Sequence, residues 1–117
     1  MRALVMDLNK VKTKDLISLY ETDIKSYTDY YTHLNCDLFD VVMVEWDGEE
    51  ISIYVDDEGM LKSGNLGCDV EGYPQPLFGN LVFTGGVDEE GDTLPLPEKF
   101  TMQDIKRFVS KPSYITK

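Results

Sequence analysis

The chain has 117 residues, a 42% hydrophobic fraction with 11% aromatic residues, and a formal net charge of −11 at pH 7. This composition excludes a disordered acidic tail, because enough apolar side chain is present to form a core, and the length predicts a single domain over residues 1–117. The negative charge argues against direct binding to nucleic acid or anionic lipid, because like charges repel.

Hydropathy and cysteine content predict a cytoplasmic protein. No segment reaches the roughly 18 apolar residues of a membrane-spanning helix, and the apolar run at the N-terminus is too short for a signal peptide. Cys36 and Cys68 form neither a disulfide framework nor a metal-binding spacing, so two free thiols are expected. One bridge closing a 33-residue loop is the alternative in an oxidising compartment.

The first half of the N-terminal region predicts a strand, and the second half predicts helix. Arg2–Asp7 is a short apolar run, typical of a strand covered on both faces. From Thr13 the apolar spacing changes to steps of three and four, which predicts one long helix over 13–35 or two shorter helices, with a second cap at Thr22-Asp23. The predicted apolar face comprises Leu16, Tyr20, Ile24, Tyr27, Tyr31 and Leu34.

Tyrosine is unusually frequent in this predicted helix. We expect the rings to pack on the core with their hydroxyl groups at its rim, which is the common arrangement for buried tyrosine. An aromatic contact surface for a partner is the alternative, because tyrosine is enriched at interfaces.

A hairpin is predicted in the middle of the chain. Leu38–Trp46 is rich in β-branched and aromatic residues, and Asp47-Gly48 after it is a strong signal for a two-residue turn. The partner strand is Ile51–Val55, and the acidic turn at 56–59 ends it. Residues 62–79 contain four Gly and two Pro, which predicts a long irregular connection.

The C-terminal third predicts one more strand and a short helix. Asn80–Thr84 has the composition of a strand, and Thr101 with Asp104 resembles a helix capping box. Pro112 stops the helix, whose apolar side comprises Ile105, Phe108 and Val109. The elements together predict an α+β fold: a mainly antiparallel sheet of four or five strands packed against one long or two short N-terminal helices and a short C-terminal helix.

Residue types that support catalysis or metal binding do not occur in a recognisable arrangement. His33 is the single histidine and has neither a second histidine nor a cysteine nearby to complete a zinc site or a catalytic triad. The acidic turns at 56–59, 69–72 and 88–92 do not fit the calcium-binding loop, whose twelfth residue is a bidentate Glu. They fit ordinary turns, with a weak cation site as the alternative. We therefore expect no enzyme activity, no catalytic residue, no metal site and no cofactor.

The charged residues are segregated along the chain. Residues 37–98 carry sixteen Asp and Glu against a single base, Lys62, for a net charge of −15, whereas residues 99–117 carry a net charge of +4. Ordinary acidic surfaces intersperse lysine, which lowers self-repulsion, so the absence of bases favours a functional role. Duplex DNA carries about one charge per 1.7 Å of its axis, so fifteen unopposed charges correspond to roughly eight base pairs of phosphate.

This charge pattern predicts a surface that imitates nucleic acid and binds a basic partner, such as a nucleic-acid-binding protein. The predicted partner-binding residues are all acidic and lie in three turns: Asp47, Glu49, Glu50, Asp56, Asp57, Glu58, Asp88, Glu89, Glu90 and Asp92. The first two groups are expected at opposite ends of strand 51–55, roughly 20 Å apart at about 3.3 Å per residue. The alternatives are a solvated acidic surface without a partner and an interaction or homodimerisation module that uses the tyrosines.

Three segments carry a resemblance to other proteins: Met1–Asp7 (MRALVMD), Tyr54–Leu61 (YVDDEGML) and Phe78–Gly85 (FGNLVFTG). They resemble a small family of uncharacterised proteins encoded by phages and conjugative elements of low-GC bacteria. This chain differs from that family in its longer tyrosine-rich region and at Lys62–Leu66, where those proteins often have a Pro-x-Asn step. The resemblance implies no activity. It implies a mobile-element context, in which proteins of this size are often accessory or anti-defence proteins and some imitate DNA. The expected partner is then a nucleic-acid-binding nuclease or effector of a bacterial host, and the expected role is anti-CRISPR or anti-restriction inhibition.

Overall fold

Eight strands, two α-helices and one turn of 3₁₀ helix (Gly59–Leu61) are formed by residues 1–8, 18–62, 64–110 and 112–116, which a computed structural model describes. In chain order these are β1 (Arg2–Asp7), β2 (Ser18–Asp23), α1 (Tyr27–Leu34), β3 (Phe39–Trp46), β4 (Glu49–Asp56), β5 (Leu66–Cys68), β6 (Leu77–Phe78), β7 (Leu81–Gly85), α2 (Met102–Phe108) and β8 (Tyr114–Ile115). A five-stranded sheet has the order β2-β1-β7-β4-β3, and a three-stranded sheet has the order β6-β5-β8. All the pairings are antiparallel, so the predicted α+β class with a mainly antiparallel sheet is confirmed.

The five-stranded sheet is covered on both faces. On one face, which we call the α2 face, Leu4 and Met6 of β1 join a core cluster that includes Ile105 of α2. On the opposite face, the α1 face, Ala3 and Val5 of β1 join a cluster that includes residues of α1. Successive residues of a strand point to opposite faces, so an unbroken apolar run in β1 supplies both cores. The prediction that this strand is covered on both sides is confirmed.

The β3–β4 hairpin has the predicted turn. Asp47 and Gly48 have positive φ angles of 51° and 79°, as a two-residue type I′ turn requires. The register runs from Trp46 opposite Glu49 to Phe39 opposite Asp56. The hairpin therefore brings the residues on either side of the turn together and places the two acidic turns at opposite ends of β4.

Helix α2 is held on the sheet by an aromatic stack. The rings of Trp46 and Phe108 are 4.6 Å apart and nearly parallel, at 4°. The indole Nε1 of Trp46 also donates a hydrogen bond to the Glu71 carbonyl oxygen at 2.8 Å. The predicted capping box at Thr101 and Asp104 is present at the start of α2. The hydrogen bond from the Thr101 backbone N–H lowers the pKa of the Asp104 carboxyl.

Helix α1 is shorter than predicted and buries a different pair of side chains. Tyr30 and Leu34 face the sheet, and the Tyr30 ring stacks on Tyr54 of β4 at 4.0 Å. Tyr27 and Tyr31, which the sequence placed on the apolar face, are exposed. A capping box at Ser26 begins the helix, since Asp29 at its third position accepts hydrogen bonds from backbone N–H groups before it.

The prediction of helix over residues 18–23 is wrong. These residues form β2, and all six of them pair with β1 from Arg2 opposite Asp23 to Asp7 opposite Ser18. Tyr20 joins the cluster of the α1 face and Leu19 joins the cluster of the α2 face, as neighbouring residues of a strand do. The apolar residues of this segment therefore fit the two-residue period of a strand as well as the helical spacing of three and four. The strand forms because the edge of β1 supplies hydrogen-bond partners for the backbone of this segment. The part of the predicted helix at 13–17 lies outside the described residues.

The prediction of an irregular connection over 62–79 is wrong in part. Its residues include β5 and β6, which form the second sheet with β8 from the end of the chain. Gly67 lies against the Phe78 ring so closely that an added Cβ would be 2.5 Å from a ring atom. Strands of two or three residues carry no periodic signal, and their pairing depends on a segment nearly fifty residues further along the chain.

The aromatic stack predicts that substitutions at two positions in α2 lower the free energy of unfolding by different amounts. Phe108→Ala removes a buried ring from Trp46 and should lower the free energy of unfolding by about 3–5 kcal/mol. Met102→Ala changes an exposed side chain of the same helix and should lower it by about 0.5 kcal/mol or less. Urea denaturation followed by tryptophan fluorescence measures both values, and equal losses would contradict the packing described for α2.

Candidate functional site

Two of the three predicted acidic groups lie together at one end of the five-stranded sheet. Ile51 at the start of β4 pairs with Gly85 at the end of β7, so the β3–β4 turn adjoins the loop that follows β7. The backbone N–H of Val87 in this loop donates a hydrogen bond to the Glu50 carboxylate at 3.2 Å. We call this surface the acidic end. Its exposed carboxylates belong to Glu50, Asp88, Glu89, Glu90 and Asp92.

The loop of the acidic end is closed by its own hydrogen bonds. The Asp88 carboxylate accepts hydrogen bonds from the backbone N–H groups of Glu90 and Asp92, both at 2.9 Å. An isolated bridge between Val87 and Thr93 closes the base of the loop. The sequence predicted this segment only as an acidic turn. The structure adds that Asp88 shapes the turn as well as carrying charge.

Asp47 and Glu49, at the hairpin turn, have basic partners from the C-terminal segment. A guanidinium nitrogen of Arg107 is 2.6 Å from the Asp47 carboxylate, and the Lys99 ammonium is 3.7 Å from the Glu49 carboxylate. Arg107 also lies over the Phe108 ring, 4.4 Å from its centroid. The expectation of fifteen unopposed charges therefore does not hold for these two carboxylates, because the basic end of the chain folds onto the turn.

Asp56 is placed differently from the other predicted partner-binding residues. Its side chain is 5% exposed and forms an ion pair with the Lys62 ammonium at 2.5 Å. Its carboxylate also accepts a hydrogen bond from the Glu58 backbone N–H at 2.9 Å. The hydrogen bond to Asp56 raises the pKa of the Lys62 amine. Asp56 thus stabilises the turn after β4 and does not present an unopposed charge to a partner.

The ten predicted residues do not form one continuous surface. Asp57 and Glu58 are exposed, but they lie at the end of β4 opposite to the acidic end. This separation was expected from the strand length and is confirmed by the register of the hairpin. The sequence did not indicate that residues 88–92 lie next to Glu50, at the hairpin turn, and far from Asp57 and Glu58.

The tyrosines that the sequence assigned to one helix face are distributed over a core. Burial raises the pKa of the Tyr30 hydroxyl, and the neighbouring Tyr54 raises it further. The Tyr20 hydroxyl contacts His33 Nδ1 at 2.7 Å, and the Thr22 hydroxyl lies 3.3 Å from His33 Nε2. His33 therefore links α1 to β2 and has both ring nitrogens engaged. Among these aromatic side chains Tyr27 is the most exposed, at 74%.

Comparison with known proteins shows the family of the chain. The family described as a domain of unknown function, DUF3846, matches residues 1–110. The chain belongs to the DUF3846 family. The matched range contains the whole five-stranded sheet and α2, so the acidic end of this DUF3846 domain lies within it. No curated protein and no solved structure matches the chain.

The described ranges of this DUF3846 domain contain two free thiols and no group of three or more His, Cys, Asp or Glu side chains that could hold a metal ion. Burial raises the pKa of the Cys68 thiol to about 12. The expectations of no metal and no cofactor stay predictions. Within the same ranges, no helix has the length and apolarity needed to span a membrane.

The sequence missed a cavity of about 400 Å³ at the end of β4 opposite to the acidic end. Its walls come from β3, from the turn after β4 and from residues 73–78. Met60 and Leu61 beside it are large apolar side chains with 70% and 80% exposure. These walls are separated by up to thirty-eight positions in the chain, so a motif search would not have found them.

The contrast between Asp56 and Asp57 can be measured. Asp56→Ala removes the partner of Lys62 and the acceptor for the Glu58 N–H, and should lower the free energy of unfolding by about 1–3 kcal/mol. Asp57→Ala removes an adjacent exposed carboxylate and should change it by about 0.5 kcal/mol or less. Both values come from urea denaturation at pH 7, and a larger loss for Asp57→Ala would refute the structural role of Asp56.

Proposed function

We propose that this DUF3846 domain is a non-enzymatic binding module whose acidic end occupies the basic nucleic-acid-binding groove of a host protein. The observation that carries the proposal is the adjacency of Glu50 to the loop at 88–92, which groups five exposed carboxylates at one end of the sheet. None of the five forms an ion pair with a described basic side chain.

The arrangement suits electrostatic recognition. A surface with one sign of charge accelerates encounter with an oppositely charged groove and disfavours other partners. The hydrogen bonds to Asp88 and the bond from Val87 to Glu50 fix these two carboxylates and the backbone of the loop before binding. Less conformational entropy is then lost when the complex forms.

The proposed target is a nuclease of a bacterial defence system, a CRISPR effector or a restriction enzyme. The support for this target is the sequence resemblance to proteins of phages and conjugative elements, in which inhibitors of host defence are common. The protein would then act in the cytoplasm of the bacterial host, where those nucleases work. Its contribution would be negative charge alone, with no reaction.

Charge reversal at the acidic end tests the proposal. The triple variant Glu50→Lys, Glu89→Lys and Glu90→Lys keeps Asp88, which shapes the loop, and should weaken inhibition by about tenfold for each position. The measurement is displacement of a fluorescein-labelled 20-base-pair duplex from a purified CRISPR effector and from a purified restriction enzyme. Inhibition by the wild-type chain should also fall about tenfold between 50 and 300 mM NaCl.

The matched control reverses three exposed carboxylates outside the predicted partner-binding set, at Asp37, Glu71 and Glu98, with the same change in net charge. This control should retain inhibition within about threefold. An equal loss of inhibition in the two triple variants would show that net charge alone matters. Full inhibition by the acidic-end variant would refute the proposal.

The ion pairs at the hairpin turn predict a gain of binding. Arg107→Gln frees Asp47 from its partner and should tighten inhibition about threefold at low salt, because one more carboxylate is then unopposed. Stability should change by about 1 kcal/mol or less, as is usual for exposed pairs. Lys106→Gln, an exposed neutralisation in the same helix, is the control. A gain that is equal in both variants would assign the effect to net charge.

A second candidate function rests on the exposed aromatic and apolar side chains beside α1. Tyr27, Tyr31 and Leu38 are exposed at 74%, 38% and 53%. Such a surface could mediate homodimerisation. In that case the acidic residues would form a solvated surface without a partner. Association that is insensitive to salt in light scattering, and that is lost in Tyr27→Ala or Tyr31→Ala, would favour this candidate over the acidic end.

A further inference from the structure

The cavity at the far end of β4 combines apolar walls with acidic groups at one side. Val42 of β3, Val55 of β4, and Leu77 and Phe78 of β6 line it, together with Met60. The apolar surface is suited to hydrocarbon, because burying it releases water. At about 400 Å³ the cavity is within the range of ordinary ligand pockets and can hold a long side chain.

Two exposed carboxylates in the cavity wall have no basic partner among the described side chains. They belong to Asp40 of β3 and Asp57 in the turn after β4. The third carboxylate of the wall, that of Asp56, is paired with Lys62. The cavity therefore favours a ligand with an apolar stem and a cationic head, since the stem can be buried while the charge stays at the carboxylates.

The cavity lies beside a free sheet edge. In the described part of the chain β3 pairs only with β4, so it ends the sheet. Because a two-residue turn pairs Trp46 with Glu49 through hydrogen bonds, the backbone groups of Val41, Met43 and Glu45 point away from β4. The Asp40 carboxylate accepts a hydrogen bond from one of these outward groups, the Val41 N–H, at 2.8 Å. The outward groups of Met43 and Glu45 can pair with an added strand.

We propose that the β3 edge and this cavity form a docking site for an extended segment of a basic protein, with one arginine or lysine side chain in the cavity. The added strand would pair with the outward backbone groups of β3, and every second side chain would point to the face on which Val42 lines the cavity. The stem of the basic side chain would pack on Val42 and Phe78, and its cationic head would meet Asp40 and Asp57.

Charge decides between a basic partner and a second copy of this chain. The edge carries Asp40 and Glu45, both exposed, and each copy has a net charge of −11. Acidic side chains on an edge strand oppose pairing between two such edges and leave the edge open to a basic strand. The cavity lies at the opposite end of β4 from the acidic end, although the edge that leads to it extends as far as Glu45, which pairs with Glu50. The inference therefore goes beyond the proposed function.

A peptide titration of the full chain tests the site. The probe is an acetylated and amidated nonapeptide of alternating threonine and valine with one central arginine, added to uniformly ¹⁵N-labelled protein. Saturable shifts are expected at the amides of Met43 and Glu45 on the edge and of Gly59, Leu61 and Phe78 around the cavity. The same peptide with citrulline in place of arginine keeps the shape but not the charge, and should bind about tenfold more weakly.

Protein variants supply the second arm. Asp40→Asn and Asp57→Asn, at exposed positions, should each weaken the arginine peptide about tenfold, whereas Glu71→Gln, an exposed carboxylate outside the cavity, should bind within about twofold of the wild type. Far-UV circular dichroism checks that each variant is folded. The citrulline comparison uses the unaltered protein, so the test survives if a variant does not fold.

Three results would overturn the inference: equal binding of the citrulline peptide, shifts confined to Gly48, Val87 and Gly91 at the acidic end, or a dimer of the free chain whose interface includes Met43. The variant Glu89→Lys and Glu90→Lys, which keeps Glu50 opposite Glu45, should bind the peptide within about threefold of the wild type. Failure at the cavity is therefore distinguishable from failure of the proposed function.

Discussion

The stack of Trp46 on Phe108 is the contact on which the charge distribution at the hairpin turn depends. It fastens α2 to the edge strand β3, at the last residue before the turn. The adjacent Arg107 then reaches Asp47. A hydrophobic contact in the core thus places Arg107 beside Asp47, which is sixty residues away in the chain. Burial of the two rings stabilises this arrangement more than the exposed ion pair does.

Folding sorts the acidic residues into groups with different physical roles. Asp47 and Glu49 are compensated by bases from the C-terminal segment, and Asp56 is buried against Lys62. The carboxylates of the acidic end remain uncompensated by described bases, and they are held by a loop with its own hydrogen bonds. Charge density along the sequence therefore overstates the charge that a partner meets at the hairpin turn and at Asp56. It also does not show that the Glu50 and Asp88 carboxylates are engaged by backbone N–H groups.

Local elements could be predicted from the sequence, and elements that depend on distant partners could not. The Asp47-Gly48 turn and the capping box at Thr101 are determined by neighbouring residues, so their residue types suffice. Residues 18–23 satisfy both a helical and a strand period, and the edge of β1 selects the strand. The cavity beside β3 gave no sequence signal at all, because its walls are assembled from three separated segments.

The sequence by itself determined the excess of acids, their concentration in turns, the antiparallel hairpin and the membership of the DUF3846 family. Only the tertiary structure decided which acids face solvent together. Glu50 and the loop at 88–92 adjoin because β4 pairs with β7, while Asp57 lies at the other end of β4 beside a cavity. The physical reason is that turn chemistry acts between neighbours in the chain, whereas Coulomb interactions depend on distances in space, which strand pairing sets.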